Sequence, residues 1–185
     1  MSERICPWWV GYMLANPMRR LLQDPARILR PHVDGGTKAL DIGPGMGFFS
    51  LPMARLVGDA GRVVCVDLQE RMIAELRRRA AKSGLANRID ARVCSTRSLQ
   101  IDDLAGTLDF ALAFAVAHEV PDPDRLFAEI EAALKPGGRL LLCEPVGHVT
   151  RDQFAVTAAL ARRAGFTVSA GPRVRFSRCA LLTKT

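Results

Sequence analysis

The chain has 185 residues and a formal charge of +7, a length that suits one domain with a sizeable core. Its most apolar stretch, 105–116, is interrupted by Asp109 and too short to span a bilayer, and only Arg4 gives the N-terminus an early positive charge, so neither a membrane segment nor a secretory signal is expected. Five cysteines, an odd number without paired spacing, lead to the expectation of reduced thiols in a cytoplasmic protein.

Residues 1–36 read as an N-terminal arm. Pro7, Pro17, Pro25 and Pro31 cut it into short pieces. Asn16-Pro17 and Asp24-Pro25 each pair an N-cap residue with a proline at the first helical position, predicting short helices near 17–23 and 25–30. The arm holds both tryptophans and the only tyrosine. Trp8, Trp9 and Tyr12 are read either as packing or as a lid over a substrate site.

From residue 37 onward strands and helices alternate. Strands are predicted at 38–42, 62–67, 89–94, 108–114 and 138–144, with helices at 47–57, 70–83 and 123–134 between them. A short helix near 101–105 and a helix at 151–164 follow the same reading, and two last strands fall near 166–174 and 177–184. Gly84 stops a helix, and Gly137-Gly138 turn the chain into the fifth strand. This alternation predicts an α/β domain over 37–185, a mostly parallel sheet covered by helices on both faces.

Ligands of such sheets bind beyond the carboxyl ends of the strands. Gly43, Gly45 and Gly47 follow the first strand and open a helix, a turn that lets backbone N–H groups approach a ligand. The spacing departs from the dinucleotide fingerprint, because Phe48 stands where the third glycine would be. Asp41, two residues before the turn, would repel a pyrophosphate and attract an ammonium group. Asp67 ends the second strand, where an acid accepts from ribose hydroxyls. The pocket should therefore prefer a nucleoside with a positive group.

LDIGPGMG resembles the first motif of the class I S-adenosylmethionine-dependent methyltransferases, a group that includes ubiquinone-biosynthesis-like enzymes. VVCVD resembles their second-strand acidic motif, and LKPGGRLLL their turn into the fifth strand. The resemblance runs from about Lys38 to the C-terminus. It implies a doubly wound seven-stranded sheet in the order 3-2-1-4-5-7-6 with strand seven antiparallel. S-adenosylmethionine would be the cofactor, bound by Asp41, Gly43, Gly45, Gly47, Asp67, Leu68, Ser95, Thr96 and Ala113. Many members carry an acid after strand three that accepts from the adenine amino group; Ser95 takes that place here and offers a weaker, uncharged acceptor.

His118 and Glu119, just past strand four, are the candidates for acid–base work, with Glu119 either a second base or the residue that orients His118. Local packing, with His118 capping the next helix, is the plainer alternative. Glu144, before Pro145, is expected extended at the rim, on a substrate amine or in solvent. The histidines and acids lack metal-ligand spacing, and Cys6, Cys94 and Cys143 read as small apolar residues rather than ligands of a soft metal, so no metal site is expected.

Direct displacement of the methyl group onto a small-molecule acceptor is the expected reaction. A cofactor-binding subunit that needs a partner, an RNA or protein methyltransferase and an NAD-dependent dehydrogenase are the alternatives. Nucleic acid is not favoured, since Arg77, Arg78 and Arg79 form a run without interleaved aromatics and read as a solvated helix face.

Overall fold

The computed structural model describes residues 23–185. The reading of Trp8, Trp9 and Tyr12 as a lid, the helix near 17–23 and Cys6 lie outside the described residues. Asp24 caps a short helix, α1 (Pro25–Leu29): its carboxylate accepts from the N–H groups of Ala26 and Arg27, and Pro25 occupies the first turn, where no N–H is needed. Ile28 and Leu29 are buried.

Seven strands follow: β1 (Lys38–Ile42), β2 (Arg62–Asp67), β3 (Ile89–Val93), β4 (Leu108–Phe114), β5 (Leu134–Pro145), β6 (Phe166–Ala170) and β7 (Ser177–Lys184). They form one sheet in the order β3-β2-β1-β4-β5-β7-β6. β1 and β2 are parallel, as are β2 and β3, and β4 and β5. β7 runs antiparallel to both β5 and β6. This is the order and the strand direction that the resemblance implies. The helices are α2 (Ser50–Leu56), α3 (Glu70–Lys82), α4 (Pro123–Ala133) and α5 (Arg151–Arg163). No helix among the described residues is long and apolar enough to cross a membrane.

The chain divides into two compact units, one up to Cys94 and one from Ser95. In the first, α3 turns Met72, Ile73, Leu76 and Ala80 inward, at the spacing of a helix with one apolar face, and packs on β2 and β3. β1 and β2 are almost wholly buried along their length, as strands covered on both sides are. In the second unit, Phe127 and Ile130 of α4 are fully buried, and Phe127 meets Phe166 of β6 edge to face at 6.5 Å between ring centres.

Three boundaries differ from the sequence reading by three residues or more. The helix expected at 47–57 begins only at Ser50, because Gly47 has φ +87°, which no helix accommodates. β5 begins at Leu134 rather than 138. Lys135–Gly138 form an irregularity inside the strand: Leu108 pairs with Leu134, but Phe110 already pairs with Arg139. β6 ends at Ala170, and Gly171 to Phe176 make the connection to β7.

The run Arg77-Arg78-Arg79 is less solvated than expected. Arg77 donates to the Ala91 carbonyl and Arg79 to the Met46 carbonyl, both at 2.5 Å; Arg79 is half-buried, while Arg77 and Arg78 stay exposed, Arg78 paired with Glu75.

α5 opens on a reciprocal cap: the Thr150 hydroxyl accepts from Gln153 N–H at 3.2 Å, and the Gln153 side chain accepts from Thr150 N–H at 2.8 Å. Thr150→Ala should lower stability by about 1 kcal/mol, read as a fall in urea midpoint at constant slope. An unchanged midpoint would show that α5 is held by packing alone.

Candidate active site

The glycine turn leaves β1 at Ile42. Gly43, Gly45 and Gly47 all have positive φ, at +65°, +53° and +87°, where other residues are strained. They serve different purposes. A Cβ on Gly47 would lie 2.6 Å from Leu76 Cδ1, so that glycine lets the turn seat on α3. A Cβ on Gly45 would meet nothing within 4 Å, so its bareness leaves open space in front of the backbone.

The turn is tied down by its neighbours in the same unit. Gly43 N–H donates to the Val66 carbonyl at 2.9 Å. Gly45 N–H donates to Asp67 Oδ2 at 3.3 Å, and Gln69 N–H to Asp67 Oδ1 at 2.9 Å. Arg79 holds the Met46 carbonyl from α3. That arginine was missed by the sequence reading, which took the arginine run as one solvated face; which of three adjacent arginines turns inward depends on the helix phase against the turn.

Asp67 fits the task of holding ribose hydroxyls. Each carboxylate oxygen has one backbone donor and keeps acceptor capacity for another. Burial raises its pKa, against the two backbone hydrogen bonds that lower it. Leu68 beside it is exposed.

Asp41 is placed differently from expectation. It is only 2% exposed, and the Ser50 hydroxyl donates to its Oδ2 at 2.5 Å. Burial pushes its pKa up to about 7, with the Asp67 charge adding to the rise and the Ser50 hydrogen bond opposing it. It is therefore not an open anion lying against the ligand but a desolvated carboxyl close to its titration point. A cation arriving nearby would favour its ionised form.

In the second unit, Ser95 forms its own turn: its hydroxyl oxygen faces the N–H groups of Arg97 and Ser98 at 3.3 and 3.1 Å. Thr96 is exposed beside it, and Ala113 is buried near the end of β4.

Past β4, Ala115 adopts φ +57°, which breaks the strand, and its N–H donates to the Cys143 carbonyl at 2.7 Å. A short 3-10 turn, Ala117–Glu119, follows and carries His118. His118 Nδ1 lies 2.5 Å from Glu144 Oε2. Glu144 is extended, as expected before a proline, but it is only 1% exposed rather than in solvent at the rim, because β5 continues through it to Pro145. Its other oxygen, Oε1, has no hydrogen-bond partner. Glu119 stands off, with its carboxylate 4.0 Å from His118 Nε2, so Glu144 rather than Glu119 orients the imidazole. His148 meets the His118 ring edge to face at 5.6 Å. His118 does not cap the next helix: Asp122 does, accepting from Arg125 N–H.

The hydrogen bond from Glu144 raises the His118 pKa, burial opposes it, and the charges of Glu144 and Glu119 add to the rise. An imidazole fixed at Nδ1 by a buried carboxylate has Nε2 free to take a proton, and the carboxylate stabilises the imidazolium that results.

The expectation of reduced thiols fails for two cysteines. Cys143 and Cys179 form a disulfide between paired positions of β5 and β7, with Cα atoms 4.2 Å apart. The odd count of cysteines carries no information about a pair set by strand register. Cys143 is thus not available as a thiolate ligand. Cys65 is a buried free thiol, and the described residues hold no cluster of three or more metal-ligating side chains.

The Asp41 shift has a stability consequence. Asp41 is protonated in the folded state up to about pH 7, while its unfolded pKa is about 3.9. Its contribution to stability is complete below the unfolded value and is lost as pH rises through about 7. Asp41→Asn cannot titrate. Its stability relative to wild type should grow by about 2–3 kcal/mol between about pH 5 and about pH 8, measured by urea unfolding. The same difference at both pH values would contradict the buried, titrating carboxyl.

A family model described as a methyltransferase domain matches residues 40–142. The ubiquinone/menaquinone biosynthesis C-methyltransferase of Cellvibrio japonicus is 37% identical over 110 residues, covering 59% of this chain and 43% of that protein. The ubiquinone biosynthesis O-methyltransferase of Xanthomonas axonopodis pv. citri is 31% identical over 141 residues, covering 73% of this chain and 54% of that protein. The chain thus spans about half the length of these curated relatives. A crystal structure of an S-adenosylmethionine-dependent methyltransferase from Aquifex aeolicus superposes with a TM-score of 0.84 over 97% of this chain and 98% of that one, at 22% identity, and shows the same fold. With the motif-bearing span from Leu40 to Leu142 inside the matched family and the sheet order in agreement, the chain belongs to the class I S-adenosylmethionine-dependent methyltransferases.

Proposed function

We propose that this chain transfers a methyl group from S-adenosylmethionine to a small-molecule acceptor by direct displacement, and that His118 removes the proton the acceptor loses. The observation that carries the second half is the contact between His118 Nδ1 and the buried Glu144 carboxylate. When bound, S-adenosylmethionine supplies an electrophilic methyl group on a good leaving group.

On this reading Asp67 accepts from the ribose hydroxyls, and the bare backbone at Gly45 leaves room for close approach. Asp41, ionised when a cation is near, favours the positively charged methyl donor over a pyrophosphate nucleotide. Leu68, Ser95, Thr96 and Ala113 complete the proposed cofactor contacts.

The names of the two relatives describe methylation at carbon and at oxygen in ubiquinone or menaquinone biosynthesis. Both fit one acceptor chemistry. A hydroxyl on an electron-rich ring, once deprotonated, is nucleophilic at oxygen and, through the ring, at carbon. We therefore place a ring hydroxyl of a small molecule opposite His118 Nε2. Glu144 orients the base, and Glu119 adds negative charge that favours the imidazolium. The cytoplasm is the proposed compartment, which the buried free thiol of Cys65 fits.

Two measurements test this. Asp67→Ala should weaken S-adenosylhomocysteine by about 1–3 kcal/mol in calorimetry, the value of hydrogen bonds to a charged acceptor; an unchanged affinity would place the ribose elsewhere. With a phenolic acceptor, kcat/KM should rise with pH as His118 loses its proton, with a midpoint above the free imidazole value of about 6.5. Glu144→Gln should move that midpoint down and lower the plateau. A profile that is unaffected by His118→Ala would remove the base from the mechanism.

A further inference from the structure

The Cys143–Cys179 bond joins β5 to β7 at directly opposed positions, and its place in the chain is more informative than its presence. Both halves of the His118–Glu144 pair are attached to Cys143. The Cys143 carbonyl accepts from Ala115 N–H, which fixes the chain three residues before His118. The residue after Cys143 is Glu144 itself. Opposite, Cys179 is held by Gly171, whose N–H donates to the Cys179 carbonyl at 3.2 Å and which has no room for a Cβ against that backbone.

The two cysteines differ in exposure. Cys143 is 0% exposed, whereas Cys179 is only half-buried. A reducing thiolate therefore reaches Cys179 first. Two unbonded thiols need more room than a bonded pair, and Cys143 has none to give. Opening the bond must turn the Cys179 side chain outward or part the strands beside Glu144.

We propose that Cys143–Cys179 is a redox-active disulfide site, opened by a dithiol reductant, whose state sets how firmly Glu144 holds His118. In the first step the reductant thiolate attacks Cys179 Sγ, forms a mixed disulfide there, and expels the Cys143 thiolate, which takes up a proton. In the second, the other thiolate of the reductant attacks its own sulfur in that mixed disulfide and expels the Cys179 thiolate, which is protonated in turn. The reductant leaves as a cyclic disulfide, so two electrons and two protons have passed to the protein. The consequence for the His118–Glu144 pair rests on the reading of His118 as the base, but the chemistry of the site does not.

Among the described residues, the groups that face His118 are Glu144 and His148 from the β5 end and Glu119 from its own turn. Of these only Glu144 is attached directly to Cys143. Loosening it should bring the His118 titration midpoint down toward about 6.5, the free imidazole value.

The experiment uses the full chain without cofactor or acceptor, so failure of methyl transfer would not affect it. Oxidised and dithiothreitol-reduced protein are alkylated with iodoacetamide under native conditions and mapped by mass spectrometry. Phenylarsine oxide, which bridges paired thiols, is applied in parallel. The imidazole resonances are titrated by NMR in both states, with His118→Ala assigning the signal. The expected result is protection of both cysteines in the oxidised protein. After reduction Cys179 is alkylated, the pair is captured by the arsenical, reoxidation restores protection, and the His118 midpoint falls. Cys179→Ser should titrate like the reduced wild type, and the wild-type comparison stands by itself if that variant does not fold. Alkylation of both cysteines before reduction would overturn the proposal. So would a bond that resists dithiothreitol in the native protein, or a His118 midpoint that is identical in both states.

Discussion

The hydrogen bond from Gly45 N–H to Asp67 is the contact on which the glycine turn of the first unit depends. It ties the turn after β1 to the end of β2, while the same carboxylate accepts from Gln69 N–H and so shapes the entry into α3. Val66 and Arg79 hold Gly43 and Met46 on either side. A glycine-rich turn is intrinsically loose, since glycine loses more conformational freedom on ordering than any other residue. Here that loss is met during folding rather than when ligand arrives, which is what preorganisation means for affinity. The arrangement also explains why Gly45 and Gly47 are not interchangeable: one leaves space for a ligand and the other removes a side chain from between the turn and Leu76.

Charge in the first unit is arranged around a deficit. Asp41 and Asp67 are both desolvated, both have raised pKa values, and the Asp67 charge makes Asp41 harder to ionise. Without a counter-charge this is unfavourable, and it is relieved in part by the Ser50 hydroxyl on Asp41 and by the Gly45 and Gln69 N–H groups on Asp67. A ligand with a positive centre would relieve it further. In the second unit the logic is reversed: Glu144 and Glu119 stabilise a cation that His118 forms on taking up a proton. One set of acids would gain from a positive ligand, and the other favours a protonated His118.

Much of this was legible along the chain. β1, β2, β4 and β7 fall where their apolar runs and flanking signals put them, and Asp24-Pro25 marks a helix start that the structure shows capped. The seven-strand order came from family resemblance and agrees. What escaped were features that depend on register or on helix phase. Glu144 reads as a rim residue because the fifth strand is expected to end at 144, yet β5 runs through to Pro145 and Glu144 is buried. Its contact with His118 spans 26 residues and exists only because β4 and β5 are neighbours. The Cys143–Cys179 bond depends on an antiparallel register that cysteine spacing does not encode. The inward turn of Arg79 depends on the phase of α3 against the glycine turn.

The central claim is that Asp41, Asp67 and the glycine turn select a nucleoside carrying a positive group over a pyrophosphate nucleotide. Calorimetric titration of the chain with S-adenosylmethionine, S-adenosylhomocysteine and NAD tests it most directly. Both sulfur nucleosides should bind and NAD should not, and the affinity for S-adenosylmethionine should rise with pH through about 7 as Asp41 ionises. Tight binding of NAD with no binding of either sulfur nucleoside would contradict the account.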